Sequence, residues 1–96
     1  MRLEFHPEAI AEFQFAAQYD EDRKPQLGLR FIEAVEDATR RIAEFPRTWR
    51  LLDHDVRRCM TRVFPYGVLY VVEPESILIV AVAHCAREPG YRKKRL

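Results

Sequence analysis

The sequence predicts an α+β fold, in which a two-helix hairpin packs on one face of a small and largely antiparallel β-sheet. Three features support this: a short alternating segment at the start, two helix-like segments joined by a short link, and three strand-like segments separated by tight turns. Helices and strands therefore come in blocks, in the order β-α-α-β-β-β. A chain of 96 residues has the length of one domain, so we expect residues 1–96 to form a single unit.

The first strand and the first helix are expected near the start of the chain. Residues 2–6 alternate between polar and apolar side chains, which places Leu3 and Phe5 on one face of a strand. Pro7 suits the first turn of a helix, where its missing N–H costs no hydrogen bond. Apolar residues then recur at helical spacing: Ala9, Ile10, Phe13, Ala16 and Ala17. The polar stretch 20–25 should end this helix.

The second helix has the most regular pattern in the chain. Its apolar residues recur at steps of three and four: Leu27, Phe31, Val35, Ala38, Ile42 and Phe45. Charged side chains dominate the remaining positions, so one face should be buried and the other exposed to water. Pro46 should end the helix. The short link to the first helix predicts an antiparallel hairpin.

Residues 46–55 are expected to form a loop, although Trp49, Leu51 and Leu52 are unusually apolar for one. Either these three side chains fold back on the core, or they form an exposed patch for a partner protein. In the second case they are candidate contacts for that partner.

The second half of the chain is expected to supply three strands. Residues 56–63 form the first, and their alternation places Arg58 and Arg62 on the same face. Residues 68–72 form the next strand, and residues 77–83 are a continuous apolar run, which is typical of a central strand buried on both faces. The sheet face that the helices leave open, where the arginines would point, is the expected functional surface.

The net charge of +1 hides an uneven distribution. Residues 1–48 carry seven Lys or Arg against ten Asp or Glu, a balance of −3, whereas residues 49–96 carry nine against five, a balance of +4. The last ten residues alone hold five basic groups and one acidic group. Such a basic end either contacts phosphate or an acidic partner, or forms a solvated tail that keeps the protein in solution.

Several classes of protein are not indicated by this sequence. The start of the chain lacks the long apolar segment of a signal peptide, and no apolar run approaches the roughly 20 residues of a membrane span, so we expect a cytoplasmic protein without membrane contact. Cys59 and Cys85 lack CxxC spacing and are expected to be reduced. The histidines His6, His54 and His84 lack the spacing of metal ligands, so we expect no metal and no cofactor.

One group of polar residues is a candidate for chemistry, namely Arg58, Arg62, His84, Arg87, Tyr91 and Arg92. Guanidinium groups bind phosphate in a bidentate manner, and a His or Tyr beside them could transfer a proton during ribonucleotide cleavage. The alternative is that the strand arginines lie on a solvated sheet face and that the tyrosine packs as a lid. Tyr66 and Tyr70 could stack on bases, but their spacing along a strand favours packing within the sheet.

Three segments together resemble the RelE/ParE toxin superfamily of type II toxin–antitoxin systems. They are PQLGLRFIEAVEDATRRIAEFP in the second helix, VRRCMTRVFPYGVLYVV in the strands, and AVAHCAREPGYRKKR at the end, where His84, Arg87, Pro89 and Tyr91 have HxxRxPxY spacing. The resemblance extends over roughly residues 3–95. It implies a toxin that a cognate antitoxin neutralises, with operator DNA contacted only through that antitoxin. In this setting Trp49, Leu51 and Leu52 become candidate antitoxin contacts.

The superfamily divides by target, and the resemblance implies different site residues for each branch. In RelE-like members, which cleave mRNA on the ribosome, the matching catalytic positions would be Arg58 or Arg62, Arg87 and Tyr91. ParE-like members inhibit DNA gyrase without a catalytic set, and the candidate target contacts are then His84, Arg92, Lys93, Lys94 and Arg95. A net charge of only +1 is low for a protein that binds ribosomal RNA, because phosphate neutralisation dominates such binding. Together with the long helical hairpin, it favours the ParE-like plasmid stabilisation branch.

Overall fold

The computed structural model describes residues 1–86 and residue 95. It confirms the α+β class, with two helices and a five-stranded sheet. The elements in chain order are β1 Arg2–Phe5, α1 Pro7–Arg23, α2 Leu27–Glu44, β2 Arg50–Asp53, β3 Val56–Met60, β4 Tyr66–Val72 and β5 Ser76–His84. Within the described ranges, neither helix is long and apolar enough to cross a membrane.

The sheet has the strand order β1-β5-β4-β3-β2. Only β1 and β5 pair in parallel, while the three other pairs are antiparallel, so the sheet is largely antiparallel as predicted. The long connection through both helices makes the parallel pair possible, because parallel strands cannot be joined by a tight turn. The strand β2 was not predicted: the expected loop at residues 46–55 contains an edge strand, in which Leu51 lies opposite Arg57 of β3.

One predicted boundary was confirmed and one was wrong. The helix α1 ends at Arg23, within the polar stretch 20–25 that was expected to end it, and the negative end of the helix dipole favours this basic residue. The strand β3 ends at Met60 and not at residue 63. The chain turns there: the Thr61 hydroxyl donates to the Phe64 carbonyl at 2.8 Å, and Val63 adopts a left-handed φ of 75°, which is incompatible with a strand.

The two helices pack closely where α2 begins. A Cβ atom at Gly28 would lie 2.5 Å from the Ala17 carbonyl oxygen, so only glycine allows this approach of the backbones. The Glu21 carboxylate of α1 accepts hydrogen bonds from the Gln26 and Gly28 amides, at 3.0 and 3.1 Å. Glu21 therefore satisfies amide groups at the start of α2 that have no partner within the helix.

The main core lies between the helices and the sheet. From α2 it takes the predicted apolar face, and from β3, β4 and β5 the residues that point toward the helices: Phe31, Val35, Ala38, Ile42, Cys59, Val68, Tyr70, Ile77, Ile79 and Val82. Phe45, which we expected to continue that face, is 58% exposed. It follows the last helical residue and has a non-helical φ of −137°, which turns its side chain away from the row.

A second, smaller cluster lies on the opposite face of the sheet and consists of Val56, Leu69, Val80 and Ala81. The strand β5 contributes buried side chains to both clusters, which confirms the prediction that it is buried on both faces. A bulge in the β4–β5 pairing adds Val80 to this second face, since Leu69 pairs with Ala81 and Tyr70 with Ile79. The open face of the sheet is therefore partly apolar rather than purely polar.

Candidate functional site

The structure places Arg58 on the sheet face that the helices leave open. Arg58 pairs with Leu69, a member of the second apolar cluster, and its neighbour Cys59 points into the main core on the other face. Its aliphatic carbons lie over Gly67 of β4, where a Cβ atom would come within 2.8 Å of Arg58 Cδ. The predicted position of this arginine on the open face is therefore correct.

Arg62 does not share that strand or that environment. It lies beyond the end of β3, and its Nη1 is 3.8 Å from Asp37 Oδ1 on α2. The early end of β3 breaks the alternation that would have placed Arg62 beside Arg58. The prediction that the two arginines line one face is thus wrong, because the chain turns toward the helices after Met60.

His84 lies at the end of β5, on the side of the sheet that the helices cover. It pairs with Tyr66 of β4, and the two rings meet edge to face at a centroid distance of 5.2 Å. The Tyr66 ring in turn packs on Phe31 of α2 at 4.8 Å. His84 and Arg58 therefore lie on opposite faces of the sheet. The remaining candidates Arg87, Tyr91, Arg92, Lys93 and Lys94 lie outside the described residues.

Arg95, which we expected to be a target contact at the end of the chain, is instead packed against the helix α1. Its side chain is 9% exposed, and its Nε and Nη1 lie 3.0 and 2.8 Å from carboxylate oxygens of Glu8 and Glu12. Its Nη1 also donates to the Val80 carbonyl at 3.0 Å. These contacts make Arg95 a structural residue, because a partner could reach its guanidinium only by displacing two carboxylates.

Of the apolar residues in segment 46–55, two fold back on the core and one remains exposed. Trp49 folds back on the core: its Nε1 donates to the Arg41 carbonyl at 3.2 Å, and the Arg41 guanidinium lies 5.5 Å from its ring centroid. Leu52 packs on the second apolar cluster. Only Leu51, on the edge strand β2, is 52% exposed. Folding back is therefore correct for two of these residues, and Leu51 keeps the exposure that a partner contact needs.

Tyr70 is a packing residue, as its spacing indicated. It is fully buried, and its hydroxyl donates to the Pro46 carbonyl at 2.6 Å. Burial raises the pKa of Tyr70 to about 12, although the nearby Arg57 acts in the opposite direction. Tyr66 also packs within the sheet, and burial raises its pKa too, with smaller contributions from Asp20 and Tyr19. The buried ring of Tyr70 is therefore not available to stack on a base.

A pocket of about 400 Å³ lies between α1, the β3–β4 turn and the end of β5. Its polar and aromatic lining includes Tyr19, Asp20, Arg23, Phe64, Tyr66 and His84. Asp20 is only 6% exposed, and its Oδ2 makes no hydrogen bond to any residue in the described part of the chain. This pocket could not be predicted from the sequence, because Asp20 begins the acidic run Asp20–Asp22, which is typical of a solvated helix end. We refer to it below as the Asp20 pocket.

A second depression, of about 560 Å³, runs along the helical hairpin and is almost entirely apolar. It is lined chiefly by Ile10, Phe13, Ala17, Leu29 and Ile32. Ile10 and Leu29 are 42% and 57% exposed. The sequence held one signal for it: Leu29 and Ile32 are apolar residues of α2 that fall outside the regular row facing the core. We refer to it below as the hairpin groove.

Over residues 1–86 and 95, no group of three or more His, Cys, Asp or Glu side chains is arranged to hold a metal ion. Cys59 is buried and Cys85 exposed, and both are free thiols. Burial raises the pKa of the Cys59 thiol, and the Asp37 carboxylate raises it further against the opposing effect of Arg41. A raised pKa favours the unreactive thiol form.

Comparisons with known proteins agree with this architecture. A family model described as the ParE toxin of type II toxin–antitoxin systems, parDE, matches residues 3–89. Among solved structures, a protein described as the chromosomal ParDE toxin–antitoxin system from P. aeruginosa is similar, with a TM-score of 0.64 and 14% identity over 88% of this chain and 95% of that chain. At this identity the structural likeness shows the fold alone. A sequence search of curated proteins gives no significant match.

Proposed function

The chain belongs to the ParE toxin family of type II toxin–antitoxin systems, and we propose that it inhibits DNA gyrase by direct contact until a cognate antitoxin neutralises it. This action would take place in the cytoplasm, where gyrase and DNA are found. The protein would reach operator DNA only through the antitoxin.

The observation that carries this proposal is the separation of the candidate catalytic groups. Arg58 lies on the open face of the sheet, Arg62 beside Asp37 of α2, and His84 on the helix-covered face. A general acid–base reaction needs its groups within hydrogen-bonding reach of one reacting site. The three described candidates lie in three different environments. Their separation favours a toxin that acts by contact with its target over one that acts by catalysis.

The proposed contacts with gyrase are His84 and the basic residues Arg92, Lys93 and Lys94. His84 is exposed at the end of β5, and the three basic residues follow in the part of the sequence that has the highest density of positive charge. Positive charge speeds the encounter with an acidic or DNA-bound partner. Arg95 is left out of this set because Glu8 and Glu12 hold its side chain.

For the antitoxin, we propose the hairpin groove as the principal contact. Its apolar walls and the exposed Ile10 and Leu29 suit a partner segment that lays an apolar face into a groove. Leu51 on the edge strand β2 is a second candidate contact. Trp49 and Leu52 are less suited than the sequence suggested, because both already pack on the cores of the protein itself.

A supercoiling assay tests the proposed target. Purified toxin is added to gyrase with relaxed plasmid and ATP, and both the supercoiled product and the cleaved DNA complex are measured, with and without antitoxin. We expect inhibition by the free toxin and recovery when the antitoxin is added first. The substitution Lys93→Glu should weaken inhibition, whereas Lys24→Glu, the same charge reversal at the exposed link between the helices, should not.

Unchanged supercoiling at micromolar toxin would contradict the proposal. The alternative, a ribosome-dependent mRNA endonuclease, would then be tested in a translation extract by mapping the 5′ ends of the message. Cuts at codon positions that Arg87→Ala abolishes would support that alternative.

A further inference from the structure

The Asp20 carboxylate is an unusual group for the interior of a small protein. Asp20 is 6% exposed, and its Oδ2 has no hydrogen-bond partner among the residues that the structure describes. A buried carboxylate without a partner lowers stability, because it has lost its hydration without gaining a replacement. Most buried polar atoms are paired for this reason, so an unpaired one needs a physical explanation, and the adjoining pocket offers room for a ligand that would supply it.

The walls of the Asp20 pocket define the chemistry of that ligand. The rings of Tyr19, Phe64 and Tyr66 line the pocket together with the carboxylate. Aromatic faces and a carboxylate attract the same kind of group, a cation, and a planar guanidinium can both stack on a ring and bind a carboxylate through two N–H groups. Arginine therefore fits the pocket better than lysine.

Arg23 shows how such a group lies at the rim of this pocket. Its guanidinium carbon is 5.6 Å from the centroid of the Tyr19 ring. It forms no ion pair with Asp20, although it lies one helical turn away on α1. Arg23 is thus placed on an aromatic face while the deeper carboxylate is left without a partner.

The occupant must be larger than a single guanidinium group, since the pocket measures about 400 Å³. Phe15 and Tyr19, which are 75% and 53% exposed, extend its apolar rim onto the surface of α1. A peptide segment that carries an arginine beside apolar residues would cover both the pocket and its rim. Residues 1–48, which contain both helices, have a charge balance of −3 and so favour a basic segment.

We propose that the Asp20 pocket receives an arginine side chain of the antitoxin, which pairs with the Asp20 carboxylate. This inference rests on the proposed neutralisation by an antitoxin, but not on gyrase as the target. The antitoxin is favoured over the target because the buried carboxylate and the exposed rim of the pocket belong to the acidic helical half, whereas the proposed target contacts other than His84 belong to the basic end of the chain. Asp20 then contributes affinity at the expense of the stability of the free toxin.

The first test uses acetyl-arginine amide as the probe and acetyl-citrulline amide as its neutral isostere. Both are titrated at millimolar concentration into the toxin while NMR signals of the Tyr66 and His84 rings are followed. We expect saturable shifts with the arginine probe that are lost in Asp20→Asn. Equal shifts from both probes, or shifts that persist in Asp20→Asn, would overturn the proposal.

The second test measures antitoxin affinity for the intact toxin. Asp20→Asn should weaken binding about tenfold or more, as expected for the loss of a charge-assisted hydrogen bond. Asp22→Asn is the matched control on the same helix, since Asp22 is exposed and bonds only to Gln18 in the described structure, and it should change affinity less than about twofold. Equal affinities of wild type and Asp20→Asn would overturn the proposal.

A stability measurement separates the proposal from a purely structural role of Asp20. Without a partner in the free toxin, the carboxylate should lower the melting temperature, so Asp20→Asn should raise it. If Asp20 were instead paired with Arg23 in solution, Asp20→Asn and Arg23→Ala would both lower the melting temperature, and the proposal would fail. Inhibition of gyrase is measured separately on the wild-type toxin, so a failure of the proposed target can be told apart from a failure of this proposal.

Discussion

Arg95 Nη1 lies 2.8 Å from Glu12 Oε1, and this ion pair joins the last described residue of the chain to the first helix. The same Glu12 oxygen accepts a hydrogen bond from the Val82 amide at 3.0 Å, and Arg95 donates to the Val80 carbonyl. The pairing of β1 with β5 reaches only to Ile79, so these groups lie on a strand edge that β1 no longer covers. Glu12 and Arg95 thus complete the hydrogen bonding of that edge, which would otherwise be open to pairing with another chain.

The Glu12–Arg95 pair should contribute substantially to stability. Both side chains are mostly buried, with exposed fractions of 15% and 9%. Removing one partner of a buried pair leaves the other charge without compensation, so Arg95→Ala should lower the free energy of unfolding by about 3 kcal/mol. Arg40→Ala, which removes an exposed pair with Asp37, should change it by less than about 0.5 kcal/mol. Urea denaturation of the two variants checks this, and equal losses would contradict the structural role of Arg95.

Gly28 should be required for the close packing of the two helices. In Gly28→Ala the new methyl group meets the Ala17 carbonyl oxygen and the Glu21 Cβ, both of which are held in α1. We expect a loss of about 1–3 kcal/mol, despite the better helix propensity of alanine. Gly67→Ala is the matched control, because its methyl group meets only the flexible Arg58 side chain within 3.0 Å. If thermal unfolding shows the same cost for both substitutions, the packing argument is wrong.

Val63 should be a strained residue whose replacement stabilises the protein. It is 92% exposed and has a φ of 75°, a conformation that a β-branched residue rarely adopts. Val63→Gly should therefore raise the free energy of unfolding by about 1 kcal/mol, since glycine has no Cβ to conflict with this conformation. Val63→Ile keeps the β-branch and should show no gain. A loss of stability in Val63→Gly would mean that the turn does not hold this conformation in solution.

Tyr70 should make stability depend on pH in the alkaline range. Its pKa rises from 10.0 to about 12 in the folded protein, so the folded state binds the proton more tightly than the unfolded state. Stability from this group is complete below pH 10 and is lost as the pH rises toward 12, by up to roughly 3 kcal/mol. In Tyr70→Phe, the free energy of unfolding should therefore fall less between pH 9 and pH 11 than it does in the wild-type protein. Parallel declines in both proteins would contradict the raised pKa.

The regular patterns in the sequence predicted the elements that carry the core. The row of Phe31, Val35, Ala38 and Ile42 is fully buried, and the apolar run in β5 is buried on both faces. These predictions were correct because helical and strand periodicities depend only on local geometry. The strand β2 could not be predicted from the sequence, because a bulge between Leu51 and Asp53 interrupts the alternation of its side chains. Its position in the sheet is set by pairing with β3 rather than by a pattern in its own residues.

The functional surfaces could be predicted only in part, because they depend on contacts between distant segments. Asp20 belongs to an acidic run that looks solvated, and it is buried only when α1 meets the β3–β4 turn and the end of β5. Arg95 looks like part of a basic tail, and only the fold brings it to Glu12, which lies 83 positions earlier in the chain. Neither relationship leaves a periodic signal in the sequence.

The central claim, that this toxin stops growth by contact with gyrase, is tested most directly by expressing it in a host without the antitoxin. Message 5′ ends are sequenced and nucleoids are imaged in the same culture. We expect intact messages, filamentous cells and a DNA damage response within the first generations. Messages cut at codon positions, with normal nucleoids, would contradict the account and identify the protein as a ribosome-dependent nuclease.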